Sequence, residues 1–97
     1  MAKYGIYAKD ILTVIWHKHN IMLITRTQEK ELLKKFGERI RKLRKEKGLS
    51  QEDLANEIEM DLTSINEIEQ GHRSPKLLTI YKISRALRVS TNQLFPF

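Results

Sequence analysis

Between Ser50 and Gly71 the chain runs Ser-Gln-Glu-Asp-Leu-Ala-Asn-Glu-Ile-Glu-Met-Asp-Leu-Thr-Ser-Ile-Asn-Glu-Ile-Glu-Gln-Gly, and this spacing admits few folds. Ser50 is a favoured N-cap residue, and Glu52 and Asp53 put negative charge on a first helical turn, where the macrodipole favours it. Leu54, Ala55 and Ile58 then fall at i, i+1 and i+4, one apolar face on a helix about two turns long. Asp61 is the next N-cap candidate, and Ile65 and Ile68 give a second short helix its own buried stripe. Gly71 ends that helix as a C′ residue does. Ala55 is small enough for the second helix to cross close to the first. The stretch therefore predicts two short helices crossing steeply around a tight turn.

The flanking sequence supplies the rest of a helical core. Thr27 is a candidate cap, with Lys30 or Glu31 completing the first turn, and Leu33, Phe36, Ile40 and Leu43 follow at helical intervals up to Gly48. Gly37, inside this run, marks a bend or the close approach of another helix. After Gly71, Ser74 and Pro75 have the chemistry of an N-cap and first helical residue. Leu77, Ile80, Ile83, Ala86 and Leu87 form the apolar stripe that follows. Ser90 caps a last short helix over 91–95, returning Leu94 and Phe95 to the core before Pro96 ends it. The expected fold is all-α, five helices around one core in residues 28–97.

Residues 1–27 form an N-terminal extension whose structure the sequence leaves open. Residues 11–16 and 21–26, rich in β-branched side chains, flank His17-Lys-His-Asn20, a pattern for a β-hairpin with a four-residue loop. A lone hairpin is marginal in water, so it would need the helical domain or a partner to pack on. Helical spacing of Ile11, Val14 and Ile15 is one alternative. A poorly ordered segment, with translation starting at Met22, is another. His17 and His19 have no third metal ligand nearby, so no metal and no cofactor are expected.

Composition excludes several function classes. A chain of 97 residues without cysteine allows one domain of modest core and neither a disulfide framework nor a thiolate metal site. No apolar run exceeds residues 11–16, and Asp10 with no cleavage site argues against a signal peptide, so a cytoplasmic protein without a membrane span is expected. No nucleophile–base pair, metal cluster or glycine-rich phosphate loop points to an enzyme. The net charge of +6 suits a polyanionic partner. Its distribution is uneven. Residues 28–48 carry nine basic and four acidic side chains, and residues 71–97 carry five basic and none acidic. Residues 50–70 carry seven acidic side chains (Glu52, Asp53, Glu57, Glu59, Asp61, Glu67, Glu69) and no basic one.

Phe36-Gly-Glu-Arg-Ile-Arg-Lys-Leu-Arg44, Gly48-Leu-Ser-Gln-Glu-Asp-Leu-Ala55, Ile65-x-x-Ile-Glu-x-Gly71 and Ser74-Pro75 occur in this order at these separations. Through them the chain resembles the phage-repressor/Cro (XRE-type) helix-turn-helix family over about residues 35 to 95, which implies a lambda-repressor-like DNA-binding domain. A helix fits the major groove, and the second helix of such a pair presents its N-terminal residues to base edges. With Ile65 and Ile68 facing inward, Leu62, Thr63, Ser64, Asn66 and Glu67 are the base-contacting candidates, and the resemblance points to the same positions. Thr63 and Asn66 can hydrogen-bond bases, Leu62 can pack on a thymine methyl, and Glu67 can accept from cytosine N4 or simply repel phosphate.

The resemblance also implies that Gln51 grips the DNA backbone and braces the recognition helix, and that Glu69 forms a structural ion pair with Arg44. Arg73 is placed for a phosphate, with Arg39 and Lys42 as further candidates. Glu59 stands where relatives usually have glycine, so a left-handed backbone there would store strain of about 1 kcal/mol. The expected function is a sequence-specific transcriptional regulator binding double-stranded DNA as a homodimer on a palindromic operator, with half-sites about 34 Å apart. The dimer contact falls either on the last helix with Phe95-Pro-Phe97 or on residues 11–24. The alternative is a helix-turn-helix scaffold that binds a protein partner, such as an antitoxin or a partner of a transcription component.

Overall fold

The computed structural model describes residues 25–97, which form five helices and, among these residues, no strand. They are α1 (Arg26–Glu46), α2 (Gln51–Glu57), α3 (Leu62–Glu69), α4 (Leu77–Leu87) and α5 (Thr91–Leu94). The hairpin expectation, the His17/His19 pair and the dimer contact over residues 11–24 lie outside the described residues.

Local chemistry sets where the helices start. Thr25, not Thr27, caps α1. Its hydroxyl accepts from the Gln28 N–H at 3.1 Å, and the Gln28 side chain accepts from the Thr25 N–H at 2.9 Å. The reciprocal box needs an acceptor three residues on, which Gln28 has and Lys30 lacks. Ser50 and Asp53 form the same box at α2, with bonds of 2.9 and 2.8 Å. The Gln93 side chain likewise accepts from the Ser90 N–H at the start of α5. The start of α4 differs from expectation. Ser74 and Pro75 remain in the loop that crosses from α3, Lys76 is the extended N-cap residue, and Leu77 is the first helical one.

The core collects the apolar face of every helix: Phe36, Ile40 and Leu43 from α1, Leu54 and Ala55 from α2 with Ile58 just after it, Ile65 and Ile68 from α3, Ile83 and Leu87 from α4, and Leu94 from α5. Burying one such Ile, Leu or Phe is worth roughly 1.5–3 kcal/mol, so the short helices α2–α5 are held by packing on α1 and on one another rather than standing alone. Ile80 and Ala86 pack against this core from its edge. Two residues expected inside are not. Leu77 is 83% exposed because it opens its helix with no element above it, and Phe95 is 40% exposed, stacked on Phe36 at 5.3 Å as a cover over the core's rim.

Two glycines let α1 approach the end of α3. A Cβ on Gly37 would meet the carbonyl oxygens of Ile68 and Glu69 and come within 2.7 Å of the Glu69 carbonyl carbon. Gly71, with φ +78°, is left-handed, and a Cβ there would lie 2.7 Å from the Lys34 Cα. The spacing of Gly37 thus reflects close approach. Two non-glycine residues also have left-handed backbones, Glu59 (φ 57°) in the turn between α2 and α3, and Arg88 (φ 58°) at the end of α4.

Candidate nucleic-acid interface

The α2–turn–α3 unit is locked by one buried polar chain of bonds. Arg44 on α1 makes a two-pronged contact with Glu69 on α3, Nε to Oε2 at 2.6 Å and Nη2 to Oε1 at 3.0 Å, and its Nη1 donates to the Leu49 carbonyl at 2.8 Å. Both residues are buried, yet among the described residues no buried side-chain nitrogen or oxygen lacks a partner. Gln51, the first residue of α2, extends the chain: its Nε2 donates to Glu69 Oε1 at 2.9 Å, and its Oε1 accepts from Asn66 Nδ2 at 3.4 Å. Removing either charge of such a pair leaves the other buried and uncompensated. The orientation of Asn66 is therefore set by a residue of α2, which is set in turn by a pair joining α1 to α3.

On the outer edge of α3, Leu62 is 46% exposed and Thr63 is exposed, while Asn66 and Glu67 are half-buried. Ser64 is not on this edge. It is buried, its hydroxyl donates to the Asp61 carboxylate, and it accepts from Arg73 Nη1. Its place among the base-contacting candidates is corrected for that reason: the hydroxyl is committed inside the protein. Asp61 makes no side-chain bond to a helix N–H; it instead accepts from Ser64, which holds its carboxyl below the usual aspartate range. Arg73 also lies against Glu67, with Nε 3.4 Å from Oε1, and both side chains are close to half exposed.

These contacts resolve most of the acidity of residues 50–70. Glu69 is neutralised by Arg44, Glu67 faces Arg73, and Asp61 and Asp53 accept hydrogen bonds at the starts of α3 and α2. Glu52 sits on the first turn of α2, favoured by the macrodipole. Glu57 and Glu59 border a separate concavity shared with Tyr81, Lys82 and Arg85 of α4.

The basic residues of α1 divide between its two sides. Arg39 Nε donates to the Gln93 carbonyl at 2.7 Å, which ties α1 to α5. Arg41, two residues on, is turned about 200° around the helix. It lines a polar concavity of roughly 310 Å³ with Arg44, Gln51, Asn66, Glu69 and Gln70. The sequence made Arg39 and Lys42 the phosphate candidates of α1 and left Arg41 among its exposed basic residues. The signal was available in the three-residue step from Arg41 to Arg44, which puts both on one helix face. Among the described residues, no group of three or more His, Asp or Glu could hold a metal ion, and no helix is long and apolar enough to cross a membrane.

Residues 40–94 match the family described as Helix-turn-helix, HTH_3. The control protein C.MunI from a Mycoplasma species is 44% identical over 62 residues, a match spanning 63% of this chain and 84% of that protein. Among solved structures, the restriction-modification controller protein C.AhdI from Aeromonas hydrophila is similar with a TM-score of 0.64 and 43% identity, covering 65% of this chain and 96% of that one. The controller protein C.Esp1396I, as a tetramer in complex with its natural 35 base-pair operator, is similar with a TM-score of 0.60 and 38% identity, covering 65% of this chain and 83% of that one.

Proposed function

Because this chain belongs to the XRE-type helix-turn-helix family (HTH_3), we propose that it is a cytoplasmic, sequence-specific DNA-binding transcriptional regulator rather than an enzyme. The observation that carries this is the Arg44–Glu69–Gln51–Asn66 chain, which fixes the base-facing edge of α3 against α1 and α2 before any ligand arrives. Preorganised polar groups lose little on ordering, so their hydrogen bonds count toward discrimination between sequences. The similar controller protein seen with its operator supports the same direction.

In this mechanism α3 enters the major groove, where each base pair has a distinct donor and acceptor pattern. Thr63 and Asn66 offer hydrogen bonds to base edges, and Leu62 offers an apolar contact to a thymine methyl. Gln51 and Arg73 flank α3 and take backbone phosphates, with Arg41 joining them from the concavity it lines beside Gln51. Lys42 contributes positive charge more distantly, and Arg39 is already engaged by the Gln93 carbonyl. The regulator acts as a dimer. Leu77, Leu78, Tyr81, Phe95 and Phe97 expose 40–83% of their surfaces along α4 and the C-terminal segment, an apolar face suited to a second copy.

The test is retention of genomic fragments by the purified protein at near-physiological salt, followed by sequencing. An enriched palindrome is expected. Asn66→Ala should then change preference at one base position, a loss of about 1–3 kcal/mol there, whereas Arg73→Ala should weaken binding without changing preference at any one base position. Capture of a protein partner with no enriched DNA would favour the protein-binding scaffold instead.

A further inference from the structure

We infer that Glu67 is a selectivity residue that acts by restraining Arg73, not by reading a base. The inference rests on the DNA-binding function proposed above and concerns the same interface. Its basis is the disposition of two charges at the DNA-facing end of the molecule. Arg73 turns Nη1 to the buried Ser64 hydroxyl and Nε to the Glu67 carboxylate, 3.4 Å away. Ser64 is held in place by Asp61, so the guanidinium is drawn inward by a fixed acceptor and by two carboxylates. A guanidinium presents its donors in one rigid plane. With Nη1 turned to Ser64 and Nε to Glu67, it can offer a phosphate only Nη2 and the second Nη1 hydrogen unless those contacts are released.

The consequence is a competition. While paired, Arg73 and Glu67 add no net charge to the surface that meets DNA, so the loop contributes little to the counterion release that drives binding to any sequence. The two side chains are 44% and 42% exposed, so water and salt keep the pair weak enough to exchange for a phosphate held nearby. That exchange is available only once α3 is seated closely. Glu67 therefore lowers affinity chiefly for sequences on which α3 is not seated closely, and leaves a larger share of binding to Leu62, Thr63 and Asn66. Selectivity is raised by withholding a non-specific contact.

The experiment measures binding of the wild type, Glu67→Gln, Arg73→Ala and the double variant to the enriched operator and to a scrambled duplex over a range of salt concentrations. Glu67→Gln is expected to tighten binding to the scrambled duplex by about two- to fivefold and to the operator by less, because on the operator Arg73 has already exchanged Glu67 for phosphate. On the scrambled duplex it should also steepen the dependence of log K on log salt by about 0.9, one more phosphate contact. In the Arg73→Ala background the Glu67 substitution should only remove a negative charge, tightening both duplexes alike and leaving their ratio unchanged. NMR of the free protein supplies a DNA-independent reading: the Arg73 Nε–H resonance should shift in Glu67→Gln. If the wild type binds no DNA, the proposed function fails and the inference with it. If the wild type binds but Glu67→Gln leaves affinity and salt slope unchanged, tightens both duplexes equally, or loses preference at a single base pair, the inference alone is overturned.

Discussion

Glu59 and Arg88 show how single residues hold strain that a helix-by-helix view of the chain misses. Both have left-handed backbones that a side chain disfavours by about 1–2 kcal/mol. Glycine relieves the strain but is more flexible when unfolded, which takes back about 0.5–1 kcal/mol. Glu59→Gly is accordingly expected to raise stability by about 0.5 kcal/mol, seen as a melting temperature higher by roughly 2–4 °C. Asp53 belongs at this scale too. Its carboxyl is held below the usual aspartate range by the Ser50 N–H, then by the Ser50 hydroxyl. A depressed folded value means that its contribution is full above the unfolded value, about 3.9, and is lost as pH falls through the folded one. The melting temperature of Asp53→Asn should therefore fall less steeply than that of the wild type below about pH 4.

At the scale of the element, what packs against each helix decides what its residues can do. α3 lies with its C-terminal carbonyls against Gly37, so Gly37→Ala places a methyl where backbone atoms already stand. A cost of about 1–3 kcal/mol is expected, measured by chemical denaturation, with weaker DNA binding because Glu69 shifts with the helix end. The same scale shows what was legible in the sequence. Helical spacing marked Phe36, Ile40, Leu54, Ile65, Ile83 and Leu87 as core because a buried stripe repeats along one helix face. It could not show that Ser64, one residue from Thr63, is turned inward, since that depends on Asp61 and on Arg73 from the following loop. Nor could it show that Arg39 is engaged, because the partner that occupies it is a carbonyl on α5, more than fifty residues away. The Thr25 cap was missed for a smaller reason, the preference for a charged residue over the neutral acceptor of Gln28.

For the whole molecule, two surfaces of the described residues are proposed to have different jobs. α3 and its bonded neighbours form the proposed DNA-binding surface, while α4 and the C-terminal segment expose Leu77, Leu78, Tyr81, Phe95 and Phe97. Leu77, Leu78, Ile80, Tyr81, Thr91 and Phe95 line one shallow depression there. If a second copy covers it, Leu78→Glu buries an uncompensated charge at the seam. The variant is expected to sediment as a monomer while keeping its helical content, and to bind a full palindrome no better than a half-site. A monomer–dimer equilibrium unchanged by Leu78→Glu would place the contact elsewhere.

Gly37, Gly71 and the Arg44–Glu69 pair all secure the same end of α3, its C-terminus. The opposite tip, where Leu62 and Thr63 stand exposed, supports no other part of the core. α3 is thus built like a key held by its bow, with the cut edge outside the lock that grips it. Side chains at Leu62 and Thr63 can be exchanged with little effect on folding, so under the proposed groove contact part of the target preference can change without a change of fold.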